Sequence, residues 1–144
     1  MAEEITMKAF LKGNAIAITE KEYVASERFV DAQGKPLPWK LRVLGNEEVE
    51  AMERRCKKKE YIKGTRDYRT ATDTAKLQEE MICAAVVFPC LDDTELQESY
   101  GTIGAGATVK AMLTPGEYAD LANAVAEVSG YQAGMSDKIR TAKN

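Results

Sequence analysis

Histidine is absent from the 144-residue sequence, which removes the commonest general base and the usual imidazole metal ligand. The acidic pairs Glu79, Glu80 and Asp92, Asp93 suit a helix exterior and a helix start, and no spacing assembles them into a catalytic set. Cysteine is scarce: Cys56, Cys83 and Cys90 cannot all pair with one another, and no CxxC spacing joins them, so they read as reduced thiols. No stretch approaches the roughly 20 apolar residues that span a bilayer. The start, Met1-Ala2-Glu3-Glu4, lacks the basic region and apolar core of a secretory signal, and the expected location is the cytoplasm. Nor is either sign of charge in large excess. Twenty basic and 23 acidic residues leave a net charge of -3, which argues against a general nucleic-acid or membrane-surface binder. The expectation is a protein-binding protein with no catalytic, cofactor or metal site.

What is present suffices for one core. Hydrophobic residues make up 44% of the chain, enough for a single domain of modest size over residues 1–130, with a polar tail over 131–144. Near the start, Ile5, Met7, Phe10 and Leu11 form a short amphipathic patch, ended by Gly13-Asn14. Residues 23–29 and 39–43 flank the turn-rich Asp31-Ala32-Gln33-Gly34-Lys35 and predict a β-hairpin. In its second strand Trp39, Leu41 and Val43 alternate with Lys40 and Arg42, so one face is covered and the other wet. The fold class expected is α+β, a mostly helical single domain with an N-terminal β-hairpin.

The next helix is predicted to start at a capping Asn46, with Glu47 and Glu48 in its first turn and Val49, Met52 and Cys56 inward. Arg54, Arg55, Lys57, Lys58 and Lys59 would then sit at its C-terminal end, where they complement the helix dipole. Their other reading is a contact for an acidic partner. Residues 61–72 are polar and read as an exposed loop in which Arg66-Asp67-Tyr68-Arg69, around Tyr68, is a second contact candidate, with a plain linker as the alternative. A long apolar helix is predicted from Asp73 to Phe88, stopped by Pro89. A short helix over 92–100 and the joint Gly101-Thr102-Ile103-Gly104-Ala105-Gly106 follow. That joint is not a phosphate loop, having neither the GxGxxG spacing nor the Walker lysine, and reads as a flexible connection. The core is expected to contain Leu77, Met81, Ala84, Phe88, Tyr118, Leu121 and Val125.

The clearest local signal is Thr114-Pro115-Gly116-Glu117. Thr114 can cap the free N–H groups of a helix start, Pro115 presets φ at its first position, and Glu117 can reach back to complete a capping box. The apolar stripe Tyr118, Leu121, Ala122, Val125 and Val128, closed by Gly130, marks the buried face.

Over residues 73–131 the chain resembles the XkdN-like phage tail assembly chaperones. Leu96, Ser99, Tyr100, Gly101, Leu113, Pro115, Gly116, Glu117, Tyr118, Leu121 and Gly130 carry the resemblance. It implies a non-enzymatic assembly factor in the cytoplasm of the bacterial host, which binds the long helical tape measure protein and keeps it soluble. It implies further that the factor promotes tail tube assembly and is not retained in the finished tail. The tail tube protein is a second implied partner, and self-association is left open. The competing reading is a structural or tail-completion protein that stays in the particle. Tail assembly chaperones are often made as two products through ribosomal slippage. Ala142-Lys143-Asn144 can be encoded by the slippery heptamer A-AAA-AAY, and an ordinary polar terminus is the equal alternative.

Overall fold

A computed structural model describes residues 6–130. The chain order is a 3-10 turn (Met7–Phe10), β1 (Lys21–Tyr23), β2 (Trp39–Leu41), α1 (Asn46–Arg55), β3 (Lys57–Tyr61), β4 (Tyr68–Thr72), α2 (Thr74–Ala85), β5 (Val86–Phe88), α3 (Thr94–Tyr100), α4 (Ala105–Met112) and α5 (Pro115–Val128). The architecture is α+β as expected, but the strands form two antiparallel sheets, one of order β1-β2-β5 and one of β3-β4. The polar tail expected over 131–144 lies outside the described residues.

The N-terminal hairpin exists with shorter strands than expected. Continuous pairing stops at Tyr23 opposite Trp39, next to Pro38, which has no N–H to donate to a continuing ladder. Residues 24–28 leave the ladder, and pairing resumes near the tip, where Phe29 O accepts the Leu37 amide at 2.8 Å and Val30 bridges Pro36; the Phe29 ring lies 6.4 Å from the Trp39 ring. The turn is where the sequence put it: Asp31 Oδ1 accepts the amides of Gln33 and Lys35 at 2.8 and 3.0 Å, and Gly34 takes φ 81°. Trp39 and Leu41 are buried and Lys40 is exposed, the alternation of a one-sided sheet.

Two helix boundaries require correction. Gly45, not Asn46, is the N-cap of α1, and no side chain caps it. Instead Arg42 donates two bonds to the Glu48 carboxylate, at 3.1 and 2.7 Å, placing a fixed anion in the first turn. The long apolar helix ends at Ala85 rather than Phe88. Val86-Val87-Phe88 become β5, paired to β2, since β-branched and aromatic residues fit a pleated surface and Pro89 disfavours helical backbone at Phe88. Asp73 caps α2 by accepting the Lys76 amide at 3.2 Å. The joint before α4 is stapled rather than flexible. Gly104 N donates to Gln97 Oε1 at 3.2 Å, Gln97 Nε2 donates to Leu91 O at 2.9 Å, and the Thr102 and Thr108 hydroxyls lie 2.6 Å apart.

The core lies between the three-stranded sheet and α2, α4 and α5. Trp39, Leu41, Leu44, Ile82, Ala85, Val109, Met112, Leu121 and Val125 are its buried members. Of the expected core residues, Leu121 and Val125 are buried, Leu77, Met81, Ala84 and Tyr118 are half-buried, and Phe88 is exposed. The reason is rotational: α2 turns Ile82 and Ala85 inward, leaving Leu77 and Met81 in an open groove against Ala122 and Ala126 of α5. The Glu79 carboxylate of α2 lies over Gly106 of α4, in the space a Cβ would take. That carboxylate accepts a bond from Lys110 at 2.8 Å.

Candidate functional site

The basic run is divided between two elements. Arg54 and Arg55 end α1, whereas Lys57, Lys58 and Lys59 lie in β3 and Tyr68 begins β4. The single helix expected to carry all five cations, and the exposed loop expected over 61–72, are replaced by a hairpin. β3 pairs with β4 in unbroken register, from Lys57 opposite Thr72 to Tyr61 opposite Tyr68. The sequence held a signal for it: Tyr68-Arg69-Thr70-Ala71-Thr72 alternates β-formers with other residues, and Gly64 marks the turn. Its charge content masked that pattern.

The root of the hairpin is pinned to the body. Cys56 is fully buried between α1 and β3. Its carbonyl accepts the Asp73 amide at 2.6 Å, and its thiol donates to Glu80 Oε2 at 2.9 Å. Burial, reinforced by the Glu80 carboxylate, pushes the Cys56 thiol up to about 11, so it is a packed group and not a nucleophile. Glu80 is held below its usual range by the Cys56 thiol and by Arg55; Arg55 Nε lies 3.2 Å from Glu80 Oε1. Lys76 Nζ donates to the Arg55 carbonyl at 3.4 Å, adding a cation at the C-terminal end of α1.

Beyond the root the hairpin is exposed, and its two faces differ. Residues directly opposite in an antiparallel pair share a face, and alternate residues change face. One face therefore carries Lys57, Lys59 and Tyr61 with Thr72, Thr70 and Tyr68. Here Lys59 Nζ stands 4.5 Å from the centre of the Tyr68 ring, Tyr61 and Tyr68 meet edge to face at 5.9 Å, and Lys57 Nζ donates to Thr72 Oγ1 at 3.3 Å. The other face carries Lys58 with Ala71 and Glu60 with Arg69, and the last two form an ion pair at 3.0 Å. Tyr61 is 71% exposed and Tyr68 50%. Among the described residues, Arg54, Lys57, Lys58, Lys59, Lys63 and Arg66 have no carboxylate within ion-pairing distance. Sequence reasoning had passed over Tyr61 and Lys63, which the hairpin adds to the surface.

A second group of exposed apolar residues lies in the N-terminal segment, where Met7, Phe10, Ile16 and Ile18 face solvent and the 3-10 turn buries nothing. No group of three or more potential metal ligands occurs among the described residues. None of their helices is long and apolar enough to cross a membrane.

The family described as phage XkdN-like tail assembly chaperone proteins matches residues 7–143, nearly the whole chain rather than the C-terminal half alone. The chain belongs to this family. It is 28% identical over 136 residues to the uncharacterized protein YqbN of Bacillus subtilis (strain 168), covering 94% of this chain and 91% of that protein. It is 26% identical, with the same coverage, to the phage-like element PBSX protein XkdN of the same organism. The crystal structure of YqbN superposes with a TM-score of 0.72 at 24% identity, spanning 90% of this chain and all of that one, which shows a shared fold. As a member of a tail assembly chaperone family, this chain has phage tail proteins as its partner class.

Proposed function

We infer that this chaperone binds the tape measure protein of its own tail, keeps it soluble in the host cytoplasm, and promotes assembly of the tail tube without remaining in the finished tail. The observation that carries the reading is the family match over residues 7–143. The surface supports it, because a cation-rich, tyrosine-bearing hairpin stands clear of the core on a pinned root. The basic end of α1 and this hairpin, with Arg54, Arg55, Lys57, Lys58, Lys59 and Tyr68, form the proposed contact region. The physical need is plain: a long helical protein with apolar stripes aggregates unless a partner covers them.

Co-expression with a tape measure protein from the same tail gene cluster tests the reading. The expected result is a large rise in the soluble fraction of the tape measure protein, with both proteins recovered in one complex. Equal insolubility with and without the chaperone would refute it. Mass spectrometry of purified particles should find the tail tube protein and not this chain; stoichiometric recovery in the particle would favour a structural or tail-completion role.

A further inference from the structure

We propose that one face of the β3–β4 hairpin, the one bearing Lys57, Lys59, Tyr61 and Tyr68, is a docking face for an acidic helical segment of a partner protein. This deepens the chaperone reading and rests on it. The two faces of the hairpin are asymmetric in charge. The opposite face neutralises part of its charge internally through Glu60 and Arg69, whereas this face holds no acidic residue.

Lys57 and Lys59 are two residues apart on one strand, a separation of about 6.8 Å along it. Carboxylates at i and i+4 of a helix lie about 6 Å apart, so one such pair can meet both ammonium groups. Lys59 is already steered by the Tyr68 ring, which lowers the entropy lost on pairing it. The Tyr61–Tyr68 pair offers apolar area beside the charges for a side chain of the same helix.

Residues 54–72 hold eight of the 20 basic side chains and only two of the 23 acidic ones. The rest of the chain is therefore strongly acidic. A nucleic acid, with a phosphate every few ångströms along its length, would run off the hairpin into that repulsive field, whereas a short acidic helix ends before reaching it.

The test uses the full chain and a fluorescein-labelled helical peptide of Glu, Ala and Leu with glutamates at i and i+4, against the same peptide with Gln for Glu. The chaperone should bind the glutamate peptide and not the glutamine one. Lys59→Glu and Lys58→Glu make the same charge change at adjacent positions on opposite faces. Lys59→Glu should weaken binding by about tenfold or more, and Lys58→Glu, felt only through solvent, by less than about threefold. Lys59→Gln, which adds no repulsion within the hairpin, should show the same order of effect relative to Lys58→Gln, with unchanged circular dichroism.

Equal losses from the two faces would overturn the assignment, as would tighter binding to a single-stranded DNA oligonucleotide than to the glutamate peptide. A Lys59→Glu effect on sedimentation of the chain alone, with none on peptide binding, would make the face a self-contact and refute the proposal. Co-expression separates the two claims. If wild type and Lys59→Glu solubilise the tape measure protein equally, the face is wrong and the chaperone role stands; if wild type fails, the chaperone role itself falls.

Discussion

The start of α5 and the β3–β4 hairpin are both short, polar and bounded by turns, yet their charges are spent in opposite ways. At the α5 start, Thr114 Oγ1 accepts the Glu117 amide at 3.2 Å, and Glu117 Oε1 accepts the Thr114 amide at 2.9 Å. Arg28, far away in sequence, donates to the Met112 carbonyl and to Glu117. The Thr114 and Glu117 capping groups are thus paired within the chain, and directly beyond them Leu121 and Val125 enter the core. In the hairpin three of the four basic residues of the two strands have no acidic partner among the described residues. A two-stranded ribbon without a buried face is marginal in water by itself, so its stability comes from the Cys56 root. The paired charges of the α5 start fix a helix to the core, whereas the unpaired charges of the hairpin stay open to solvent.

The largest effect that would break this contrast is in the core. Leu121→Ala should cost about 2 to 5 kcal/mol in urea unfolding, because the side chain is fully buried and leaves a cavity. A loss below about 0.5 kcal/mol would place α5 outside the cooperative core.

The cap should give an intermediate effect. Thr114→Ala removes the side-chain bond to the Glu117 amide and should cost about 1 kcal/mol. The Ser26 hydroxyl, the Thr114 amide and Arg28 lower the Glu117 carboxyl from 4.5 to about 2. A depressed carboxylate stabilises the fold above its unfolded value, and that contribution is lost as pH falls from about 4.5 toward 2. Unfolding midpoints measured across that window should decline more steeply in wild type than in Glu117→Gln; identical slopes would show that Glu117 is not coupled to folding.

The smallest effect belongs to the hairpin. Lys58→Ala, on an exposed strand, should change stability by less than about 0.5 kcal/mol. A loss above about 1 kcal/mol would show that the hairpin belongs to the cooperative unit and would dissolve the contrast.

Legibility followed the range of the interactions. The α5 start was readable because the capping box is made by residues three apart, with Pro115 fixing the backbone between them. Asp31 and Gly34 made the first turn readable for the same reason. The hairpin at 57–72 was not, because helix and strand both tolerate Lys-Lys-Lys-Glu. The choice was made by partners elsewhere: Cys56 buried against α2, and Thr70 and Thr72 in register across the ladder. The contact candidates were thus identified as residues but not as a surface, and Tyr61 was missed because its role depends on facing Tyr68.

By itself the sequence determined a histidine-free α+β fold, the cap at Thr114, the buried alternation of Trp39 and Leu41, and the family. Each rests on local chemistry or on a motif contained in consecutive residues. Only the tertiary structure decided that Val86–Phe88 completes a sheet with β2, that α2 turns Ile82 rather than Leu77 into the core, and that the basic run divides at Cys56 into a helix end and a two-faced strand. Those outcomes depend on which distant backbone supplies the missing hydrogen bonds and which side chain the core can enclose, and neither is written in a residue's immediate neighbours.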